Sequence, residues 1–124
     1  MPYKILYNKD LNYVEVISVG EFTIEGYKTQ IEEVARYGKK YKAFRFLVNN
    51  LQLVNKASIT DIYQIPHLYR ASVPEKDLKL AALFSDTSHN KDSVSFYENI
   101  CVNQGLNIKT FYNRKKALTW LLSD

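Results

Sequence analysis

The groups that could carry proton transfer or nucleophilic attack are few in this 124-residue chain: two histidines, one cysteine, and scattered carboxylates and hydroxyls. His89 lies in Ser85-Asp86-Thr87-Ser88-His89-Asn90, an imidazole beside a carboxylate and hydroxyls. Acid–base catalysis uses such groups, and an ordinary polar loop is built from the same residue types. His67 follows Pro66 on a helical pattern and reads as a structural histidine. Cys101 falls on an apolar helical stripe, so it is expected to be a small core residue rather than a reactive thiol. Gly20, Gly26, Gly38 and Gly105 are too dispersed for a phosphate-cradling loop. No Gly-x-Ser-x-Gly elbow occurs, and two His with one Cys do not complete a structural zinc set. The expectation is a non-enzymatic protein with no cofactor and no metal.

Composition sets the frame for those residues. Hydrophobic residues at 46% and charged ones at 24% exclude a disordered or collagen-like chain, and 124 residues suit a single domain, 1–124. One cysteine cannot form an internal disulfide, which removes the usual mark of an oxidising compartment. The first ten residues lack an apolar signal core, and no apolar run approaches the ~20 residues of a membrane span. The expected address is therefore the cytoplasm, without an integral membrane segment. The net charge of +4 is unevenly placed: residues 28–56 hold seven basic and two acidic residues. Lys39-Lys40 falls where a helix should end, where cations complement the helix dipole. The segment thus reads as a solvated helix end rather than a nucleic-acid footprint.

The elements follow from changes of period. Tyr3–Tyr7 and Asn12–Val19 read as an antiparallel hairpin across Asn8-Lys9-Asp10. Thr23 is an N-cap candidate for a helix with the stripe Ile24, Tyr27, Ile31, Val34 and Ala35, for which Gly38 is the expected terminator. Ala43–Val48 reads as a central strand covered on both faces and ending at Asn49-Asn50, with Leu51–Ala57 as a loop. Ser58 or Thr60 is expected to cap the next helix, which Pro66 should kink or divide. Leu78–Ser85 is strand-like, and Asp92 or Ser93 is expected to cap a helix carrying Val94, Tyr97, Ile100 and Cys101, closed by Gly105. A short strand, Asn107–Tyr112, and a last helix capped by Asn113 complete the chain. The order β-β-α-β-α-β-α-β-α predicts an α/β fold with a mainly parallel five-stranded sheet, an opening antiparallel hairpin and four helices.

Tyrosine is over-used, ten against six Phe and one Trp. Tyr63, Tyr69 and Tyr97 either line a ligand cleft or pack half-buried helices, since a phenol buries well but its hydroxyl wants a partner.

The element order, with three stretches of sequence, resembles the STAS domain family of bacterial anti-sigma-factor antagonists. More closely it resembles the divergent STAS-like group that is allied in structure to CRAL-TRIO lipid-binding domains. The stretches are Val16-Ile17-Ser18-Val19-Gly20-Glu21-Phe22-Thr23 entering a helix, Phe46-Leu47-Val48-Asn49-Asn50 before the loop and second helix, and Gly105–Phe111 followed by Lys116-Ala117-Leu118-Thr119-Trp120-Leu121. The resemblance covers the whole chain. It implies a regulatory or protein-interaction module with a protein partner, acting through a switch surface at the start of the second helix. In the antagonists a serine there is phosphorylated by a partner kinase, and Ser58 best matches it, beside Lys56. Asn49 and Asn50 stand where the antagonists carry an acidic residue, and the glycine and aspartate of their switch turn are missing. Asn49, Asn50, Lys56, Thr60 and Tyr63 are the accompanying partner- or ligand-binding candidates. The same resemblance implies, as an alternative, a domain for a small apolar ligand or lipid. Strand Tyr3–Tyr7, as an open edge, leaves a homodimer available.

Overall fold

A computed structural model describes residues 1–74 and 76–124. Its elements are β1 (Tyr3–Asn8), β2 (Tyr13–Glu21), α1 (Ile24–Tyr41), β3 (Arg45–Val54), α2 (Ile59–Ser72), β4 (Lys79–Leu83), α3 (Lys91–Asn103), β5 (Ile108–Phe111) and α4 (Arg114–Leu121). The strands lie in the order β1-β2-β3-β4-β5, with β1 antiparallel to β2 and every later pairing parallel. The expected α/β architecture is the observed one.

Topology decides which face each helix covers. From β2 onward each strand is added on the same side of its predecessor, and crossovers between parallel strands are right-handed. The three crossover helices α1, α2 and α3 therefore share one face, where Tyr27, Ile31, Ile65, Tyr69 and Cys101 pack on Val14, Val16, Phe46, Val48, Leu80 and Ala82. Helix α4 follows the last strand and crosses to nothing, so it can cover the other face. There Ala117 and Leu121 meet Tyr13, Leu47, Ala81 and Leu83. The alternation of side chains along β3 serves both layers at once.

Local chemistry explains the boundaries, including those that differ from expectation. Strand β3 does not stop at Asn49-Asn50. Pairing with β2 carries it on to Val54, through Val19 with Gln52, Gly20 with Leu53 and Glu21 with Val54. Between Ile17·Asn49 and Val19·Gln52 strand β3 holds one residue more than β2, a bulge at Asn50-Leu51. The loop shrinks accordingly to the few residues before Ser58. Helix α2 is not divided at Pro66 but runs unbroken to Ser72. Pro66 forfeits one backbone bond, yet it is buried with Ile65 and Tyr69, and this packing holds the helix together. The cap of α3 is Asn90, whose side chain accepts the Ser93 N–H; Asp92 lies instead in the first turn, where a carboxylate favours the dipole. Thr23, Asn113 and the left-handed Gly105 occupy their expected places.

Gly38 does not end α1. The left-handed residue is Lys42, and Gly38 lies within the helix with its carbonyl receiving the Lys42 and Ala43 N–H groups. A Cβ there would stand 2.8 Å from the Ala43 carbonyl oxygen and 3.0 Å from the Phe46 ring. The glycine lets the helix end approach β3. Gly38→Ala is accordingly expected to cost about 1–3 kcal/mol by overpacking, against the ~1 kcal/mol that helix propensity alone would return. Urea unfolding of the two proteins measures the sign.

Candidate functional site

The two asparagines at the bulge serve different layers. Asn49 points to the α4 face, where its Nδ2 donates to Glu15 at 3.0 Å and its Oδ1 accepts the Leu51 N–H at 3.1 Å. Glu15 is buried and receives both ends of the Arg114 guanidinium, at 2.9 and 2.5 Å. Asn50 points to the opposite face, toward α1, α2 and α3. The expected surface around Asn49-Asn50 is therefore corrected: both residues are buried, 8% and 3% exposed, and they do not form one patch.

The remaining candidates lie at the start of α2. Ser58 is the N-cap in a complete capping box, accepting the Asp61 N–H while its own N–H donates to the Asp61 carboxylate, each at 3.1 Å. Capping thus falls to Ser58 and not to Thr60, which is exposed in the first turn. Lys56 pairs with Glu21 at 2.9 Å. Ile59, 63% exposed, and Tyr63, 47% exposed, leave apolar surface to solvent beside Ser58. Tyr63 therefore parts from Tyr69 and Tyr97, which are buried.

Tyr69 and Tyr97 meet a residue whose role in the site the spacing did not single out, Tyr27 of α1. Burial pushes the Tyr27 phenol up to about 12 and holds Tyr69 and Tyr97 well above the usual phenol range. Cys101, in the same layer, is likewise pushed up to about 12 by burial, which removes thiolate chemistry at neutral pH.

Beside this cluster is a small pocket of about 30 Å³, walled by Phe22, Tyr27, Leu53, Ile62, Phe84 and Tyr97. It lies along the carboxyl-terminal half of β3 and just past the end of β4, on the face covered by α1, α2 and α3. Asn50 Oδ1 and the Tyr97 hydroxyl are both buried and complete no hydrogen bond within 3.5 Å, with the Tyr27 phenol as the polar neighbour of both residues, and both residues line the pocket. Asn55, exposed, and Ala57, half-buried, form its rim. Among the described residues no charged side chain lines it.

His89 braces the walls. Its Nδ1 accepts the Ser85 N–H at 2.9 Å, which requires the Nε2–H tautomer, and Nε2 then donates to the Leu53 carbonyl at 2.7 Å. The ring stands edge-on to Phe84, centroids 5.3 Å apart. Both nitrogens are occupied, so the acid–base set of His89 with Asp86 and Ser88 is not assembled; Ser88 donates its N–H to Ser85 Oγ. Among the described residues no group of three His, Cys, Asp or Glu side chains could hold a metal, and no helix is long and apolar enough to cross a membrane.

The Glu15 site makes a pH-dependent contribution to stability. Burial alone would raise its carboxyl pKa, but hydrogen bonds from Arg114 and Asn49 outweigh burial and hold it below the usual range. A carboxyl depressed in the folded state stabilises above its unfolded value, about 4.3, and loses that contribution as pH falls through the folded value. Glu15→Gln is expected to cost about 1–3 kcal/mol at neutral pH, at the lower end because Arg114 is half exposed. In urea titrations the gap between the two proteins should narrow below about pH 4.3.

No family model matches the chain, and no curated protein matches it. Among solved structures, an uncharacterised protein of the DUF3478 family from Shewanella loihica PV-4, described as having a SpoIIAA-like fold, aligns with a TM-score of 0.59 and 15% identity. The alignment covers 97% of this chain and 92% of that one. With the strand order and the single antiparallel edge above, this likeness shows that the chain has a SpoIIAA-like, STAS-like fold.

Proposed function

We propose that the chain is a non-catalytic binding module that holds a small neutral molecule, or the neutral polar head of a longer one, in the pocket beneath α2. The observation that carries this reading is the pair of unpartnered buried polar atoms, Asn50 Oδ1 and the Tyr97 hydroxyl, in an otherwise apolar recess. Leaving such a group unpaired costs about 1–3 kcal/mol. A molecule offering a donor to Asn50 and a hydroxyl, amide or carbonyl to Tyr97 offsets that cost, and the uncharged walls select against ions. A volume of about 30 Å³ admits a water or a group little larger, so any larger body must leave past Asn55 and Ala57.

Asn50→Leu removes the unpaired acceptor while keeping the branched shape of the side chain. It is expected to raise stability by about 1 kcal/mol and to abolish binding, the trade expected where a polar group is kept for a ligand. The test is an NMR titration of wild-type protein and Asn50→Leu with a panel of small neutral alcohols and amides. Shifts at Asn50 and Tyr97 in the wild type alone support the reading. A panel that shifts neither residue sinks it and leaves an ordered water as the occupant.

The exposed apolar surface of Ile59 and Tyr63 favours a second reading, a regulatory interaction module that docks a protein on the start of α2. The capping box weighs against a phosphoserine at Ser58, because the phosphate would face the Asp61 carboxylate. Under this reading Ile59→Ser and Tyr63→Ser abolish capture of the partner from host extract while the melting temperature stays put. Undiminished capture by both variants removes it.

A further inference from the structure

The two edges of the sheet are finished differently. At the β5 edge Glu98 reaches from α3 and takes both the outward Thr110 N–H, at 2.6 Å, and the Thr110 hydroxyl, at 2.8 Å. A side chain that occupies an edge donor blocks strand addition there. At the β1 edge nothing comparable exists among the described residues.

The register shows which β1 groups are open. Val19 N–H donates to the Pro2 carbonyl, so Pro2·Val19 is a hydrogen-bonded pair. Pairs of that type recur at every second position. Lys4·Ile17, Leu6·Glu15 and Asn8·Tyr13 therefore turn their main-chain groups toward each other. The N–H and C=O groups of Tyr3, Ile5 and Tyr7 then point away from β2, six groups in a row on an unpaired edge.

We infer that the chain forms a two-fold dimer in which β1 pairs antiparallel with β1 of a second copy about an axis at Ile5. The parity is self-consistent. Pairing in which the two residue numbers sum to ten sets Ile5 against Ile5 and Tyr3 against Tyr7, all outward-facing, so each of the six groups finds a partner. Between them Lys4 of one copy stands opposite Leu6 of the other, on the face away from α1, and no like charges meet. Glu33 hydrogen-bonds the Tyr3 hydroxyl at one end of β1, whereas at the other Tyr7 stacks on Tyr41, with the Lys40 ammonium 5.2 Å from the Tyr41 ring centre. Arg36 also lies near Tyr3, so the two-fold sets the Glu33–Arg36 end of each copy beside the Lys40 end of the other. Tyr3, Tyr7, Tyr37 and Tyr41 cluster along this edge, and tyrosine is enriched in the contact surfaces of proteins.

Leu6 is 43% exposed, so changing it spares the core. Equilibrium sedimentation is expected to give twice 14.5 kDa for the wild type and 14.5 kDa for L6K, in which two ammonium groups face each other at both symmetry-related positions. The double variant K4E/L6K, with opposite charges at those positions, is expected to return to the doubled mass. A monomeric wild type, or a dimer whose mass L6K leaves unchanged, overturns the proposal. If L6K fails to fold, hydrogen exchange on the wild type decides. The Tyr3, Ile5 and Tyr7 amides should be protected at high protein concentration and lose protection on dilution, while Lys4 and Leu6 stay protected throughout. Fast exchange of the first three amides at every concentration overturns it.

Discussion

The pairing of β2 with β3 is the interaction on which the rest of this structure depends. Strand β3 is the one element that must satisfy both layers, with Phe46 and Val48 buried under the crossover helices and Leu47 under α4. Ten residues in extended conformation keep that alternation only until the bulge. There the extra residue breaks the alternation, so that Asn50 and Leu53, three apart, both line the pocket. Without the bulge a period of two would send one of them to the other side. The pocket is thus a consequence of strand register as much as of side-chain choice.

Polar groups inside the protein divide by whether their bonds are complete. Glu15 is buried but answered by Arg114 and Asn49, and it links α4 to β2 and β3. His89 uses both ring nitrogens to join the β4–α3 loop to the end of β3. Ser18 reaches Gln30 across the sheet–helix boundary at 2.8 Å. Lys79 and Arg45 donate to the carbonyls of Trp120 and Leu121 at the end of α4, where cations complement the helix dipole. Against this background of satisfied groups, Asn50 Oδ1 and the Tyr97 hydroxyl stand out, and both line one recess. Gln30 Nε2 is also unpartnered, but Gln30 is not among the residues that line the pocket.

Placing all four helices with a five-stranded sheet leaves one region thinly covered. Helix α4 spans eight residues and packs on β3, β4 and β5, so the same face of β1 and β2 carries exposed Leu6 and Val19. The tyrosines divide along the same geometry. Tyr27, Tyr69 and Tyr97 are sealed between helices, whereas Tyr3, Tyr7, Tyr37 and Tyr41 gather at the β1 edge. The excess of this residue type thereby serves two places with one property, an apolar ring that ends in a hydroxyl.

The sequence by itself determined the number, type and order of the elements, because periods of two and 3.6 and the caps at Thr23 and Asn113 are local signals. It also placed Val94, Tyr97, Ile100 and Cys101 on one buried stripe. The limits of local reading appear where a distant partner intervenes. Asn49-Asn50 looks like the end of a strand because asparagine favours turns, and only hydrogen bonds from β2 extend β3 past it. Gly38 looks like a stop, and only the approach of Phe46 shows it to be a spacer. Adjacent in sequence, Asn49 and Asn50 read as one site, yet the pleat sends them to opposite layers, one to a carboxylate and one to a recess without a partner. Tyr27 joins that recess from 23 residues before Asn50, a proximity that no spacing encodes. What only the tertiary structure decided is which polar atoms lack partners, since that depends on every element packed around them and not on the residues alongside in the chain.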